Sequence, residues 1–66
     1  MRGTVKFFNQ RKGFGFITTE QNEDVFFHKS GVKETGFREA LNQGDSVEFE
    51  IREEAKGKRA YNIYRI

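Results

Sequence analysis

Apolar and polar residues alternate over short runs of this chain, and no segment of ten or more residues keeps the apolar spacing of a helix. In the run Ser46–Ile51, for example, Val47 and Phe49 alternate with polar side chains. A period of two is that of a strand with one face on a hydrophobic core and the other face in water. The pattern therefore predicts an all-β chain.

Five strands follow from this alternation, separated by segments rich in Gly, Asn, Asp, Gln or Lys. We expect them at Gly3–Asn9, Gly13–Thr19, Asp24–His28, Ser46–Glu53 and Ala60–Arg65. A short helical turn is expected near Ser30–Val32. Because so few strands leave costly open edges unless the sheet closes, the sequence predicts one domain over residues 1–66, built as a barrel.

The composition excludes several classes of protein. The chain has 66 residues, no cysteine and one histidine, so it has neither disulfides nor thiolate or histidine clusters for a metal. Its N-terminus lacks the apolar run of a signal peptide, and no stretch has membrane-spanning length. We expect a soluble, cytoplasmic protein of marginal stability that uses no metal and no cofactor.

The second and third predicted strands carry more aromatic rings than one core face holds. If Ile17, Val25 and Phe27 point inward, the alternate positions of these strands point outward. The aromatic residues at those positions are Phe14, Phe16, Phe26 and His28. Neighbouring antiparallel strands would place these rings together, so the sequence predicts an aromatic patch on the solvent side.

The first strand leaves its own parity open. Strict alternation groups Phe7 with Val5 and Phe8 with Lys6, but a bulge or a strong twist exposes either ring. Alternation alone does not decide which phenylalanine faces water.

Charge is distributed unevenly, although the net charge is only +2. Residues 1–19 carry Arg2, Lys6, Arg11 and Lys12 without an acidic residue, whereas most acidic residues lie in the second half. A basic surface beside exposed rings is typical of proteins that hold single-stranded nucleic acid, since rings stack on bases and cations follow phosphates. A solvated charged surface explains the same charges, so the two interpretations stay open at this point.

Two short motifs carry a specific resemblance. The run Lys12–Ile17 (KGFGFI) looks like the first ribonucleoprotein motif of cold-shock domains, and Val25–His28 (VFFH) looks like the second. The similarity extends over nearly the whole chain. It implies an all-β fold, a five-stranded antiparallel barrel of the OB type. It also implies binding of single-stranded RNA and DNA and activity as an RNA chaperone that affects transcription or translation.

The resemblance also assigns roles to single residues, four of which strand parity had already placed on the outer face. Base stacking is assigned to Phe7, Phe14, Phe16, Phe26, His28 and Phe37. Lys6 and Lys12 are expected near phosphates, and Asp24 is expected to hydrogen-bond bases.

Three positions depart from the family pattern. Phe7 stands where tryptophan is usual, Lys29 where an aromatic residue is common, and Lys58 where proline is frequent. We expect weaker stacking, partly offset by the charges of Lys29, Lys58 and Arg59, so that binding depends more on salt.

Three other kinds of protein are alternatives to a cold-shock domain. An RNA-recognition-motif domain needs two helices and has its second motif before the first, which is not the order here. A barrel that uses the aromatic patch to bind a protein remains the alternative. An enzyme is not expected, because His28 has no nucleophile or paired carboxylate in a readable motif. We expect a monomer, with strand exchange into a dimer as the other oligomeric state.

Overall fold

The described part of the chain forms five strands and one short 3₁₀ turn. The computed structural model describes residues 1–33 and 41–66. The strands are β1 (Arg2–Asn9), β2 (Phe14–Thr19), β3 (Asp24–His28), β4 (Ser46–Glu54) and β5 (Gly57–Arg65). A 3₁₀ turn over Lys29–Gly31 follows β3. The turn begins one residue before the predicted segment, and β5 begins three residues before its predicted start.

The strands close into a barrel in the order β1-β2-β3-β5-β4. Four of the five pairings are antiparallel, and the fifth joins β3 to β5 in parallel through Phe26↔Arg59 and Phe27↔Ala60. The predicted five-stranded OB-type barrel is confirmed, with this one parallel pair as a correction to a purely antiparallel arrangement. The two strands are not consecutive in the chain, so no hairpin fixes their relative direction.

Every strand contributes side chains to one core. Among residues 1–33 and 41–66, nine hydrophobic residues are buried: Val5, Ile17, Val25, Phe27, Leu41, Val47, Phe49, Ala60 and Ile63. Phe8, Val32 and Ile51 are partly buried and pack against this cluster. The inward positions predicted for the second, third and fourth strands therefore lie where alternation put them.

A register shift in β1 decides the parity that the sequence left open. Val5 pairs with Ile17, and Phe7 pairs with the next residue of β2, Phe16, so that Lys6 is an extra residue in β1. Such a bulge resets the alternation of a strand. As a result Phe7 faces outward beside Phe16, and the ring of Phe8 packs 5.3 Å from that of Phe27, measured between centroids.

A second register shift occurs in β5, around Asn62. Glu48 pairs with Tyr64 and Glu50 with Tyr61, so β5 has one residue more than β4 over this stretch. Asn62 has a positive φ of 54°, a left-handed conformation that asparagine tolerates better than most residues. The shift allows Ala60 and Ile63 to point into the core although they are three residues apart.

Gly15 lies close to the backbone of β1 and to the core ring of Phe27. A Cβ atom at this position would be 2.3 Å from the carbonyl oxygen of Phe7 and 2.8 Å from the ring of Phe27. Neither neighbour is the end of a flexible side chain. The glycine between Phe14 and Phe16 therefore has a structural reason, which is close approach of the backbone.

Replacing Phe49 by alanine tests the core. Phe49 is only 2% exposed, and its removal should cost about 3–5 kcal/mol of unfolding free energy because a cavity remains. Denaturant or thermal unfolding measures this loss. Phe14→Ala is the matched control, since the Phe14 ring is half-exposed and should cost clearly less. Equal losses at the two positions would contradict the assignment of faces.

Candidate nucleic-acid interface

Four phenylalanine rings form a continuous cluster on the outside of β1, β2 and β3, called the four-ring surface below: Phe7, Phe14, Phe16 and Phe26. Phe7 contacts Phe14 edge-on at 5.8 Å between centroids and Phe16 in a stacked arrangement at 6.1 Å. Phe26 closes the circuit, stacked on Phe14 at 5.9 Å and edge-on to Phe16 at 5.8 Å. Each ring thus contacts two others, a geometry that favours a fixed surface.

Strand register places these rings side by side. Phe7 lies opposite Phe16, which in turn lies opposite Phe26 on the next strand, and Phe14 lies opposite His28. Phe7 is 39% exposed, and the other three rings and His28 are half-buried. The four residues that strand parity placed outside the core are therefore neighbours on one face, and the bulge at Lys6 adds Phe7 to them.

His28 is held by the turn that follows β3. The backbone N–H of Ser30 donates to His28 Nδ1 at 3.1 Å, and the Ser30 hydroxyl lies 3.0 Å from the same nitrogen. Because Nδ1 accepts a hydrogen bond from the backbone, the neutral ring carries its proton on Nε2. The imidazole thus has a fixed orientation next to Phe14.

Lys6 and Asp24 bind each other at the edge of this surface. Lys6 Nζ lies 2.7 Å from Asp24 Oδ2, and the Thr18 hydroxyl donates to Asp24 Oδ1 at 3.0 Å. The hydrogen bond from Lys6, together with that from Thr18, holds the pKa of Asp24 below its ordinary value. The carboxylate therefore stays ionised and keeps the Lys6 ammonium beside the rings.

The other predicted lysines have different surroundings. The aliphatic stem of Lys29 lies over Gly13, and its backbone N–H donates to the Gly13 carbonyl at 2.7 Å. Lys58 binds the Glu23 carboxylate at 3.1 Å. Within residues 1–33 and 41–66, no carboxylate lies within 4.0 Å of the ammonium of Lys12 or Lys29. These two cations are thus the least neutralised of the predicted lysines.

Arg59 extends the aromatic face across the β3–β5 seam. Its guanidinium carbon is 5.6 Å from the centroid of Phe26 and 5.2 Å from that of Tyr61, and Arg52 lies 4.6 Å from Tyr61. Sequence reasoning missed Arg52 and Tyr61. The alternation of Arg59 and Tyr61 about the apolar Ala60 was the available signal, but the fifth strand was predicted to start only at Ala60.

One predicted stacking residue, Phe37, lies outside the described residues. In the part of the chain that is described, no group of three or more His, Cys, Asp or Glu side chains has an arrangement that would hold a metal ion. None of the helical segments there has the length and apolar character that a membrane crossing requires.

Comparisons with known proteins agree with this geometry. A family model described as the 'Cold-shock' DNA-binding domain matches residues 1–66. The cold shock-like protein CspE of Buchnera aphidicola subsp. Acyrthosiphon pisum is 53% identical over 64 residues, which are 96% of this chain and 91% of that protein. The major cold shock protein of Streptococcus pyogenes serotype M6 is 46% identical over 65 residues, 98% of this chain and 96% of that protein.

A solved structure shows the same fold. The structure of Drosophila Unr CSD456 matches with a TM-score of 0.75 at 25% sequence identity. The match covers 98% of this chain and 26% of that longer chain. Sequence and structure together show that the chain belongs to the cold-shock domain family, whose members bind single-stranded nucleic acids and are not enzymes.

Proposed function

We propose that this protein is an RNA chaperone that binds single-stranded RNA and DNA by stacking bases on the four-ring surface. The observation that carries the proposal is the closed circuit of ring contacts outside the core, with centroids 5.8–6.1 Å apart. Rings that serve only to fill a core are buried, whereas these four remain partly open to water. Every base has a π-face, so such a surface accepts many sequences.

The charges around the rings support an anionic ligand. Lys6 precedes Phe7 in the chain, Lys12 lies two residues before Phe14, and Lys29 follows His28. Arg59 contacts Phe26. Phosphates that pass between these cations would hold the strand while the bases lie on the rings. Asp24, which accepts hydrogen bonds from Lys6 and Thr18, is the acceptor that we assign to the edge of a base.

The mechanism is passive. Binding to an unpaired strand competes with pairing of that strand in RNA hairpins, so it shifts the equilibrium by mass action without ATP or metal. Keeping transcripts unpaired affects transcription or translation. The action is proposed for the cytoplasm and for a monomer. Strand exchange into a dimer stays an alternative, and the short β3–β5 pairing, with two residue pairs, is where the barrel would open.

The departures from the family pattern indicate that charge contributes more to binding, and base stacking less. Phe7 offers a smaller ring than the usual tryptophan, and Lys29 replaces a stacking ring by a charge. Lys58, in contrast, is already bound to Glu23, so its ammonium contributes only if that exposed ion pair opens. We therefore assign the added charge chiefly to Lys29 and Arg59.

Removing one outer ring tests the proposed stacking. Phe14→Ala should weaken binding of a fluorescent single-stranded oligonucleotide by about 1–3 kcal/mol, which is about fivefold to 150-fold, because one stacking face is lost. Fluorescence titration measures the dissociation constant. Tyr64→Ala is the control, since Tyr64 is an exposed aromatic residue on β5 outside the four-ring surface. An unchanged affinity in Phe14→Ala would rule out the stacking role.

Salt dependence separates nucleic-acid binding from the alternative of a protein-binding barrel. If about three or four phosphates are neutralised, a plot of log affinity against log salt should have a slope of about −2 to −3. The titration is repeated with single- and double-stranded oligonucleotides of the same sequence over a series of salt concentrations. A flat plot, or equal binding of duplex, would favour the protein-binding alternative.

A further inference from the structure

Beyond the four-ring surface, two arginines and a tyrosine continue in a row over the outside of β5 and β4. Arg59 contacts both Phe26 and Tyr61, and Arg52 contacts Tyr61. This guanidinium row, defined as Arg59, Tyr61 and Arg52, starts at the edge of the four-ring surface. It thus joins a second set of strands to the face already described.

The two arginines lie directly opposite each other on neighbouring strands, since Arg52 pairs with Arg59 in the β4–β5 register. Like charges in this relation repel and destabilise a sheet unless something compensates them. The Tyr61 ring supplies part of the compensation, because guanidinium groups bind aromatic faces. An anion between the two guanidinium groups would reduce the repulsion that remains.

The carboxylates nearby compensate only one of the two arginines. Glu54 lies 3.9 Å from Arg59 Nη1 and accepts a hydrogen bond from the Tyr61 hydroxyl. Glu50, which faces Tyr61 across the strands, accepts a bond from Asn62 instead. In residues 1–33 and 41–66, no carboxylate lies within 4.0 Å of the Arg52 guanidinium.

One N–H group of the Arg59 guanidinium also lacks a hydrogen-bond acceptor. Its Nε atom is buried and has no hydrogen-bond partner among the described residues. Phe26, Glu54 and Lys58 are among the residues that line the adjoining depression of about 350 Å³ together with Arg59. Because Nε is buried, a phosphate would bind the other guanidinium N–H groups of Arg59, whose side chain is 30% exposed.

We propose that Arg52 and Arg59 together bind one phosphate of a single strand that continues from the four-ring surface over the β3–β5 seam. Tyr61 orients both guanidinium groups and is not itself a stacking platform, since both arginines lie against its ring. Glu48 and Glu50, on the outer face of β4, bound the site on its far side by repelling further phosphates. The inference rests on the proposed function and lengthens its binding path.

Oligonucleotide length tests this site. Arg52→Gln is compared with wild-type protein on thymidine homopolymers of about four to about ten nucleotides, a range within the site sizes of OB folds. Strands that only reach the four rings should bind both proteins equally. Longer strands should bind Arg52→Gln about threefold to tenfold more weakly at low salt, with a salt slope smaller in magnitude by about 0.7.

Arg2→Gln is the matched control, because Arg2 is an exposed arginine of β1 that lies opposite Glu48, away from the row. It removes the same charge and should weaken binding of short and long strands by the same small factor. Thermal melting of both variants shows that they are folded. If Arg52→Gln matches Arg2→Gln at every length, the phosphate site is refuted.

Binding by Phe14→Ala and by Arg52→Gln distinguishes loss of the phosphate site from loss of base stacking. If Phe14→Ala still weakens binding while Arg52→Gln has no length-dependent effect, only the extension over β5 and β4 is wrong. If neither variant changes the affinity at any length, stacking on the four-ring surface is wrong as well.

Discussion

Closure of the barrel through β3 and β5 is the constraint on which the remaining structure depends. Only two residue pairs join these strands, yet they complete the enclosure around Phe27 and Ala60, both fully buried. The same closure brings Arg59 next to Phe26. A single seam therefore fixes both the hydrophobic interior and the meeting point between the aromatic rings and the arginines outside it.

Much of the fold and of the candidate site was predictable from alternation. Strands β2 and β3 pair without a register shift. Alternation with a period of two therefore correctly separated the buried Ile17, Val25 and Phe27 from the outer rings. The two register shifts were not predictable in this way. A bulge adds one residue to a strand without any composition signal strong enough to locate it, and the outward position of Phe7 and the inward position of Ile63 both depend on such a shift.

The sequence also did not predict which charged side chains form ion pairs. Lys6 with Asp24, and Lys58 with Glu23, are separated by 18 and 35 residues, so no local spacing indicates that they meet. Both pairs are exposed, and exposed ion pairs contribute little to stability. Each pair instead fixes the position of an ammonium group on the outer surface.

The close contacts at Gly15 have a consequence for how the interior and the outer face influence each other. At Gly15 no side chain separates the backbone of β2 from the Phe27 ring in the core. The residues before and after Gly15 are the outer phenylalanines Phe14 and Phe16. A larger side chain at position 27 would push against this backbone, and Phe14 and Phe16 would be displaced with it. Variation at this one core position would alter the shape of the surface as well as the cohesion of the barrel.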